Sequence, residues 1–477
     1  MSPADVLSSY FGFEEHDTDY TTESLAGLTT FLTMSYIVVV NPLILSVAIT
    51  PEGVESARVL QMLAVVTIVS SVAAILVMAF YANRPFGLAP GMGLNAFFVT
   101  VVLSPGLEVT WQMALAAVFV EGLLFIALTA AGAREYVIRL FPDPVKYGVG
   151  AGIGIFLAMI GVQQMRLALP SETDGLTLNP VLASDPVAIL AALGVLFTFY
   201  LYARGVTGAI IVGILSTSVA AYVASWLGYS AFDGDLPGEG LTLPDATLAP
   251  GVGDVTYSLA AYDIRPLAGA FVEGLRDIDP VTFAFVMVTF FFVDFFDTAG
   301  TLTGLGQAAD MTDEEGNLPE MDRPLMADAV GTTVGGMLGT STVTTYIESS
   351  TGIEEGGRTG FTALAIAALF LAALAFVPLI TVLPPFAPYV AFLIVAVFML
   401  RNITDIRWDD VTHAVPASLT IMIMPLTSSI AYGIAAGLIS YPIVMAAAGR
   451  RDDVHLAQWI MAAAFVAYFV VRTRALI

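Results

Sequence analysis

Apolar stretches recur from residue 27 to the C-terminus of this 477-residue chain. Many are near the roughly 20 residues that an α-helix needs to cross a bilayer. No other feature restricts the fold as much. Inside hydrocarbon every backbone N–H and C=O must be paired within the protein, and runs of this length do that as helices. Composition agrees: 57% of residues are hydrophobic, 12% are charged and the mean hydropathy is +0.84, where soluble domains carry about 25% charge. The expected fold class is an all-α polytopic membrane protein. The first 24 residues are polar and acidic, with neither a basic start nor an apolar core, so no cleavable signal peptide is expected.

Apolar spans are expected near 27–49, 60–81, 90–103, 111–131, 147–168, 186–203 and 206–228, and again near 281–302, 325–340, 341–354, 360–383, 386–401, 413–447 and 454–472. That is seven on each side of an acidic loop, 229–280. The run at 413–447 is interrupted around Pro425–Ser429 and is long enough for two pieces. Seven plus seven is the arithmetic of an inverted repeat, because an odd number turns the second half upside down. The halves also share an anomaly. "GLAPGMGLNAFFVTVV" (87–102) and "GTSTVTTYIESSTG" (339–352) are both short and poor in helix formers, and Thr-Val-Thr-Thr-Tyr-Ile is β-prone. Irregular backbone at membrane depth is tolerated where it is buried in protein or lines a cavity, so these segments point to a site.

Charge sets orientation. With the N-terminus inside, the loops after even spans and the tail hold eleven basic residues, among them Arg84, Lys146, Arg401, Arg407, Arg472 and Arg474. The other loops hold six: Arg58, Arg166, Arg265, Arg276, Arg450 and Arg451. Both termini are therefore expected in the cytoplasm. The net charge of −24 sits mainly in connecting segments, and Lys146 is the single lysine. That pattern suits a surface made for high salt, where screening suppresses self-repulsion. No cysteine is present, which excludes disulfides and thiolate chemistry. His16, His413 and His455 lie at or beyond span ends, so no buried metal site is expected.

"VDFFDTAGTLTG" (293–304) is two residues away from DKTGTLT, the phosphorylation signature of P-type ATPases. Thr298 and Ala299 stand where that signature has Lys and Thr. The motif ends an apolar span, and no large soluble domain or GxxxxGK[ST] loop accompanies it. Phosphorylation is excluded. Asp294 and Asp297 are instead intramembrane carboxylates three residues apart, on one side of a helix. No Arg or Lys lies inside any span to pair with them, so they are candidates to meet a substrate or to take up and release a proton. The Gly300 and Thr residues that follow would also suit a helix end. Glu348, just before Ser349-Ser350-Thr351-Gly352, would face the same cavity and accept hydrogen bonds from a flat, neutral solute, or else cap the next helix. Asn95, in the matching segment, offers a donor and an acceptor. Glu121 and Asp328 either relay a proton or bond a neighbouring helix. An aromatic nearby, such as Phe97, Phe295, Phe296 or Tyr346, would stack on a planar ligand.

The strings "GLTTFLTMSYIVVVNP" (27–42), "PFGLAPGMGLNAFF" (85–98), "VDFFDTAGTLTG" (293–304) and "GTSTVTTYIESSTGIEEGGRTG" (339–360) resemble the AzgA-like purine permeases of the xanthine/uracil permease group, nucleobase–cation symporters. The resemblance covers about 20 to 475. It implies fourteen spans in two inverted halves, with short antiparallel strands in spans three and ten. It implies a cytoplasmic tail (1–26), a first repeat (27–228), an extracellular loop (229–280) and a second repeat (281–477). A core (about 27–131 plus 281–383) would move against a gate (about 147–228 plus 386–472). The implied activity is uptake of purine bases such as hypoxanthine, guanine or adenine across the plasma membrane. The proton is the expected coupling ion and sodium the alternative in a salty cell. Substrate-binding positions carry over to Asp294, Glu348 and Asn95, with Thr298 and Phe296 in the same motif; Asp297, Asp294 and Glu121 are the proton-coupling candidates. No cofactor and no nucleic acid is implied, and relatives form dimers through the gate. An anion transporter of the same architecture would place a basic residue in the site, and an intramembrane aspartyl enzyme a GxGD aspartate; the sequence offers neither.

Overall fold

A computed structural model describes residues 3–103, 108–132, 141–171, 175–234, 236–237, 241–244, 246–251, 259–276, 279–309, 311 and 318–475. The helices are α1 (Pro3–Phe11), α2 (Tyr20–Met34), α3 (Ile37–Leu45), α4 (Ser56–Val77), α5 (Met92–Leu103), α6 (Trp111–Ala130), α7 (Asp143–Gln164), α8 (Pro186–Ala203), α9 (Ala209–Trp226), α10 (Phe271–Gly274), α11 (Pro280–Ala308), α12 (Asp322–Leu338), α13 (Ser349–Glu354), α14 (Gly360–Ala373), α15 (Val390–Leu400), α16 (Val411–Thr427), α17 (Ile430–Ala447) and α18 (Leu456–Ala475). The strands are β1 (Leu88–Pro90), β2 (Ala168–Ser171), β3 (Gly175–Leu178) and β4 (Val343–Thr345). Among the described residues ten segments are long and apolar enough to cross a membrane, and there are three shorter apolar helices. The chain folds as two compact units, Met1–Thr129 with Ile160–Ile394 and Ala130–Met159 with Val395–Ile477.

In the first unit both irregular segments form the expected strands. β1 and β4 pair antiparallel, with Leu88 opposite Thr345 and Pro90 opposite Val343. The long helices around them approach closely because one side of each contact is glycine. Gly122 of α6 lies against Thr333 of α12, and Gly336 of α12 lies against Phe119 of α6. Gly27 of α2 meets Thr362 and Ala365 of α14, and Gly360 meets Ala79 in the turn that extends α4. The start of α14 is closed from a distance. Glu23 of α2, fully buried, accepts from the N–H groups of Arg358 (3.0 Å), Thr359 (3.3 Å) and Thr362 (3.1 Å) and from the Thr362 hydroxyl (2.5 Å). These are donors that a helix start leaves without an internal partner.

α8 and α9 form a hairpin with a reciprocal seam. Gly194 faces Thr217, and Gly213 faces Thr198. Each threonine turns its hydroxyl back to the glycine carbonyl four residues earlier, at 2.7 and 2.8 Å. Small residues substitute here for the hydrophobic drive that lipid does not provide. Gly213→Leu would drive a side chain into Thr198 and is expected to cost about 1–3 kcal/mol, read as a lower thermal midpoint in detergent. Part of the acidic loop is pinned rather than loose. Arg166 donates to the carbonyls of Pro244 (2.6 and 2.8 Å) and Phe232 (3.0 Å) and lies 3.5 Å from Asp185.

The second unit resolves the long run at 413–447. It is two helices, α16 and α17, broken where Ser428 takes a left-handed φ of 49° and Ser429 caps α17 through the Tyr432 N–H. Gly433 and Gly437 of α17 lie against Thr420 and Met424 of α16. α18 then runs antiparallel to α17, since the Tyr432 and Phe469 rings meet at 5.5 Å near opposite ends of their helices. The run is thus two segments, the alternative that its length allowed, and α18 follows them. Arg450 donates to Asp410 (3.1 Å) and Thr412 (3.2 Å). Hydrogen bonds from the Thr412 hydroxyl and N–H, with Arg450 alongside, hold the Asp410 carboxyl down to about 2. Arg450 thus stands at the same end as the 401–410 connection, not opposite it as the loop tally had it. The extra break explains the difference.

Candidate functional site

Strand β4 and the residues before it, Thr340 to Thr345, are a hub. All six are buried, and five of their side chains reach different elements. The Thr340 hydroxyl accepts from Asn41 of α3 at 2.9 Å. Ser341 donates to the side-chain oxygen of Asn95 in α5. Thr342 donates to Glu121 of α6 at 3.4 Å. Thr344 and Thr298 of α11 share a hydroxyl–hydroxyl bond at 2.7 Å. Thr345 donates its N–H to Asp328 of α12 at 2.9 Å, and its hydroxyl lies 3.4 Å away. A strand can do this because successive side chains leave on opposite faces.

The acidic residues divide into two sets. Glu121, Asp294 and Asp328 have no exposed surface. Glu121 Oε2 lies 3.4 Å from the Thr342 hydroxyl, and Asp294 Oδ2 lies 3.3 Å from the Thr332 hydroxyl. No hydroxyl or amide among the described residues reaches Glu121 Oε1, Asp294 Oδ1 or Asp328 Oδ2. Among the described residues the hydrogen-bond partners of this set are hydroxyls and the Thr345 N–H, and none is basic.

The other set is open. Asp297 and Gly300 of α11 are exposed, though α11 lies at the heart of the unit. A Cβ at Gly300 would meet nothing within 4 Å, and one at Gly304 would meet only Ile347 Cδ1 at 3.7 Å. Positions 297, 300 and 304 share one helical face, so that face borders free space. Across it stand Ile347, 45% exposed, and the half-buried Glu348. Glu348 Oε1 accepts the Tyr36 hydroxyl at 2.8 Å, and Tyr36 sits in the break between α2 and α3. The Glu348 side chain does not cap α13.

The expected residues are thus brought into one region with different surroundings. Asp294 and Asn95 are enclosed; Asp297 and Glu348 face the opening. Asn95 keeps its Nδ2 unpartnered. Thr298 is committed to Thr344. The Phe296 side chain lies outside the described residues. The helix does not end at Gly300 but runs on to Ala308, because Thr303 bonds back to the Ala299 carbonyl (2.8 Å) and the ladder continues. Sequence reasoning missed Tyr36, Asn41 and Thr332; the density of hydroxyls in "TSTVTT" was the signal that a buried polar network was present.

Comparison with known proteins follows the same line. The profile described as Permease family, that of the xanthine/uracil permeases, matches residues 21–436. The guanine/hypoxanthine permease PbuG of Bacillus subtilis is 37% identical, over 97% of this chain and 99% of that protein. The adenine permease AdeQ of Escherichia coli is 34% identical, over 96% and 95%. Among solved structures, the transmembrane domain of the cyanobacterial bicarbonate transporter BicA superposes with a TM-score of 0.54 at 15% identity, covering 87% of this chain and 97% of that one. The last likeness speaks for the fold alone. With the profile spanning most of the chain and relatives matching end to end, this multi-pass membrane protein belongs to the xanthine/uracil permease family, a family of transporters and not of enzymes.

Proposed function

We propose that the protein imports purine nucleobases across the plasma membrane by cation symport with alternating access, the proton being the coupling ion. The observation that carries this is the division of the carboxyls. Asp297 and Glu348 face an opening wide enough to leave Gly300 without neighbours. Behind them Glu121 and Asp294 are enclosed, each beside a buried threonine hydroxyl. Glu348 and Asp297 accept hydrogen bonds from ring N–H and exocyclic groups of the base. Asp294 and Glu121 carry the proton, while Thr298 and Asn95 hold the strands. Buried carboxyls with no basic partner among the described residues suit a proton better than an anionic substrate.

Two inverted repeats are part of this reading. Contacts in the first unit come in reciprocal kinds: α6 packs on α12 as α14 packs on α4, and α5 meets α11 as α13 meets α2. The hairpins α8–α9 and α16–α17 match in their glycine seams. The seven segments from Tyr20 to Trp226 then correspond to the seven from Pro280 to Ala447. A core of about 27–131 plus 281–383 moves against a gate of about 147–228 plus 386–472, through which two copies pair. The N-terminus is cytoplasmic. α18, outside these seven-segment halves, runs back along α17.

The test is uptake of radiolabelled hypoxanthine, guanine, adenine, xanthine and uracil into proteoliposomes at high salt, under an imposed proton or sodium gradient. Saturable purine uptake driven by the proton gradient is expected. Uptake that only sodium drives would replace the ion. No uptake of any base by inserted, folded protein would overturn the substrate class.

A further inference from the structure

Among the described residues β4 has a strand neighbour on one edge only. There it pairs with β1, and the register continues through Gly91 N–H to Thr342 C=O (3.0 Å) and Tyr346 N–H to Gly87 C=O (3.0 Å). Where a third strand would lie, α12 offers two side chains one turn apart. Asp328 accepts the Thr345 N–H, and the Thr332 hydroxyl donates to the Val343 C=O at 3.0 Å. The same Thr332 oxygen lies 3.3 Å from Asp294 Oδ2. Thr332 is fully buried.

A hydroxyl has one proton and cannot satisfy two acceptors. We propose that Thr332 is a positioning residue that passes the proton load of Asp294 to strand β4. With a proton on Asp294 Oδ2, the carboxyl donates to Thr332 and Thr332 donates to the Val343 carbonyl. Without it, the carboxylate is the stronger acceptor; Thr332 turns to it, and the Val343 carbonyl is left without a partner in a buried place. The strand is then released at one point on its open edge. Five residues on is Glu348, the proposed substrate contact, so the proton alters how Glu348 is held. The other titratable groups facing Asp294 are Glu121 on α6, Asp297 on α11 itself and Asp328 on α12. Asp328 holds the neighbouring rung of β4 in both states. This inference rests on the reading of Asp294 and Glu121 as the proton carriers.

The experiment compares wild type, Thr332→Val and Thr332→Ser in proteoliposomes by two assays. Counterflow exchange of hypoxanthine needs no net proton movement; accumulation under an imposed pH gradient does. Thr332→Val is expected to keep exchange but to lose at least about tenfold in gradient-driven accumulation, with a flattened pH dependence of KM, and Thr332→Ser to behave as wild type in both. If Thr332→Val fails to insert, Thr332→Ala makes the same comparison. Thr332→Val with wild-type accumulation and pH profile overturns the switch alone. Equal loss of both assays in Thr332→Val and Thr332→Ser also overturns it, since that is a packing defect. A wild type inert to every base overturns the purine reading and the switch with it.

Discussion

Glu348→Gln is expected to lower purine uptake about 10- to 100-fold while leaving membrane insertion and thermal unfolding unchanged. The magnitude is that of a hydrogen bond to a charged group, about 1.5–3 kcal/mol. The amide keeps the side-chain volume, and its oxygen still accepts the Tyr36 hydroxyl, so the local structure survives. What is lost is the second acceptor oxygen that faces the opening: in its place stands an NH₂ that meets the N–H of the base donor to donor. Asp297→Asn removes the acceptor on the other wall and should act in the same direction. Uptake kinetics in proteoliposomes, beside a melting curve in detergent, check both. A normal rate for Glu348→Gln removes Glu348 from the substrate contact.

Glu23→Ala has the opposite profile. This carboxylate does not face the opening; it closes the first turn of α14 from a helix more than 300 residues earlier in the chain. Its removal leaves the Arg358 and Thr359 N–H groups without their acceptor, while the Thr362 N–H and hydroxyl keep only the bonds to the Thr359 and Glu23 backbone carbonyls (3.2 and 3.3 Å). Each unmade bond costs about 1–3 kcal/mol. A destabilisation of about 3 kcal/mol or more is expected, read as a fall of the thermal midpoint in detergent and poor yield of folded protein. Glu23→Gln keeps one acceptor and should fall between. An unchanged midpoint for Glu23→Ala would mean that α14 closes its own start through Thr359, which already caps Phe361.

The helices were legible because each rests on a local signal. The span read at 186–203 is Pro186–Ala203, with Asp185 capping it and Pro186 in its first turn. The segments 87–102 and 339–352 announced their strands through Pro, Gly and β-branched residues. The partition of Asp294 and Asp297 was not legible. A spacing of three residues puts two side chains on one side of a helix, yet about 60° apart, and here that angle separates an enclosed carboxyl from an open one. What decides it is the packing of α12 and β4 against α11. Thr332 and Tyr36 were invisible for a related reason. Each is an ordinary residue in an ordinary segment, and the Tyr36 partner lies 312 residues away. The break at Ser428 had a signal in Pro425, but the antiparallel return of α18 along α17 needed the contact of Tyr432 with Phe469.

The hydroxyl tract from Thr340 to Thr345 also constrains how a protein of this design can change its cargo. Each of its polar side chains is spent on a different helix, so altering one to suit a new ligand would loosen the frame that holds the others. The far wall has no such commitments: Gly300 and Gly304 touch almost nothing, and Ile347 leans into open space. New preferences among flat heterocycles are therefore expected to arise by adding bulk or a polar group on that wall, while the tract stays as the part that cannot be traded.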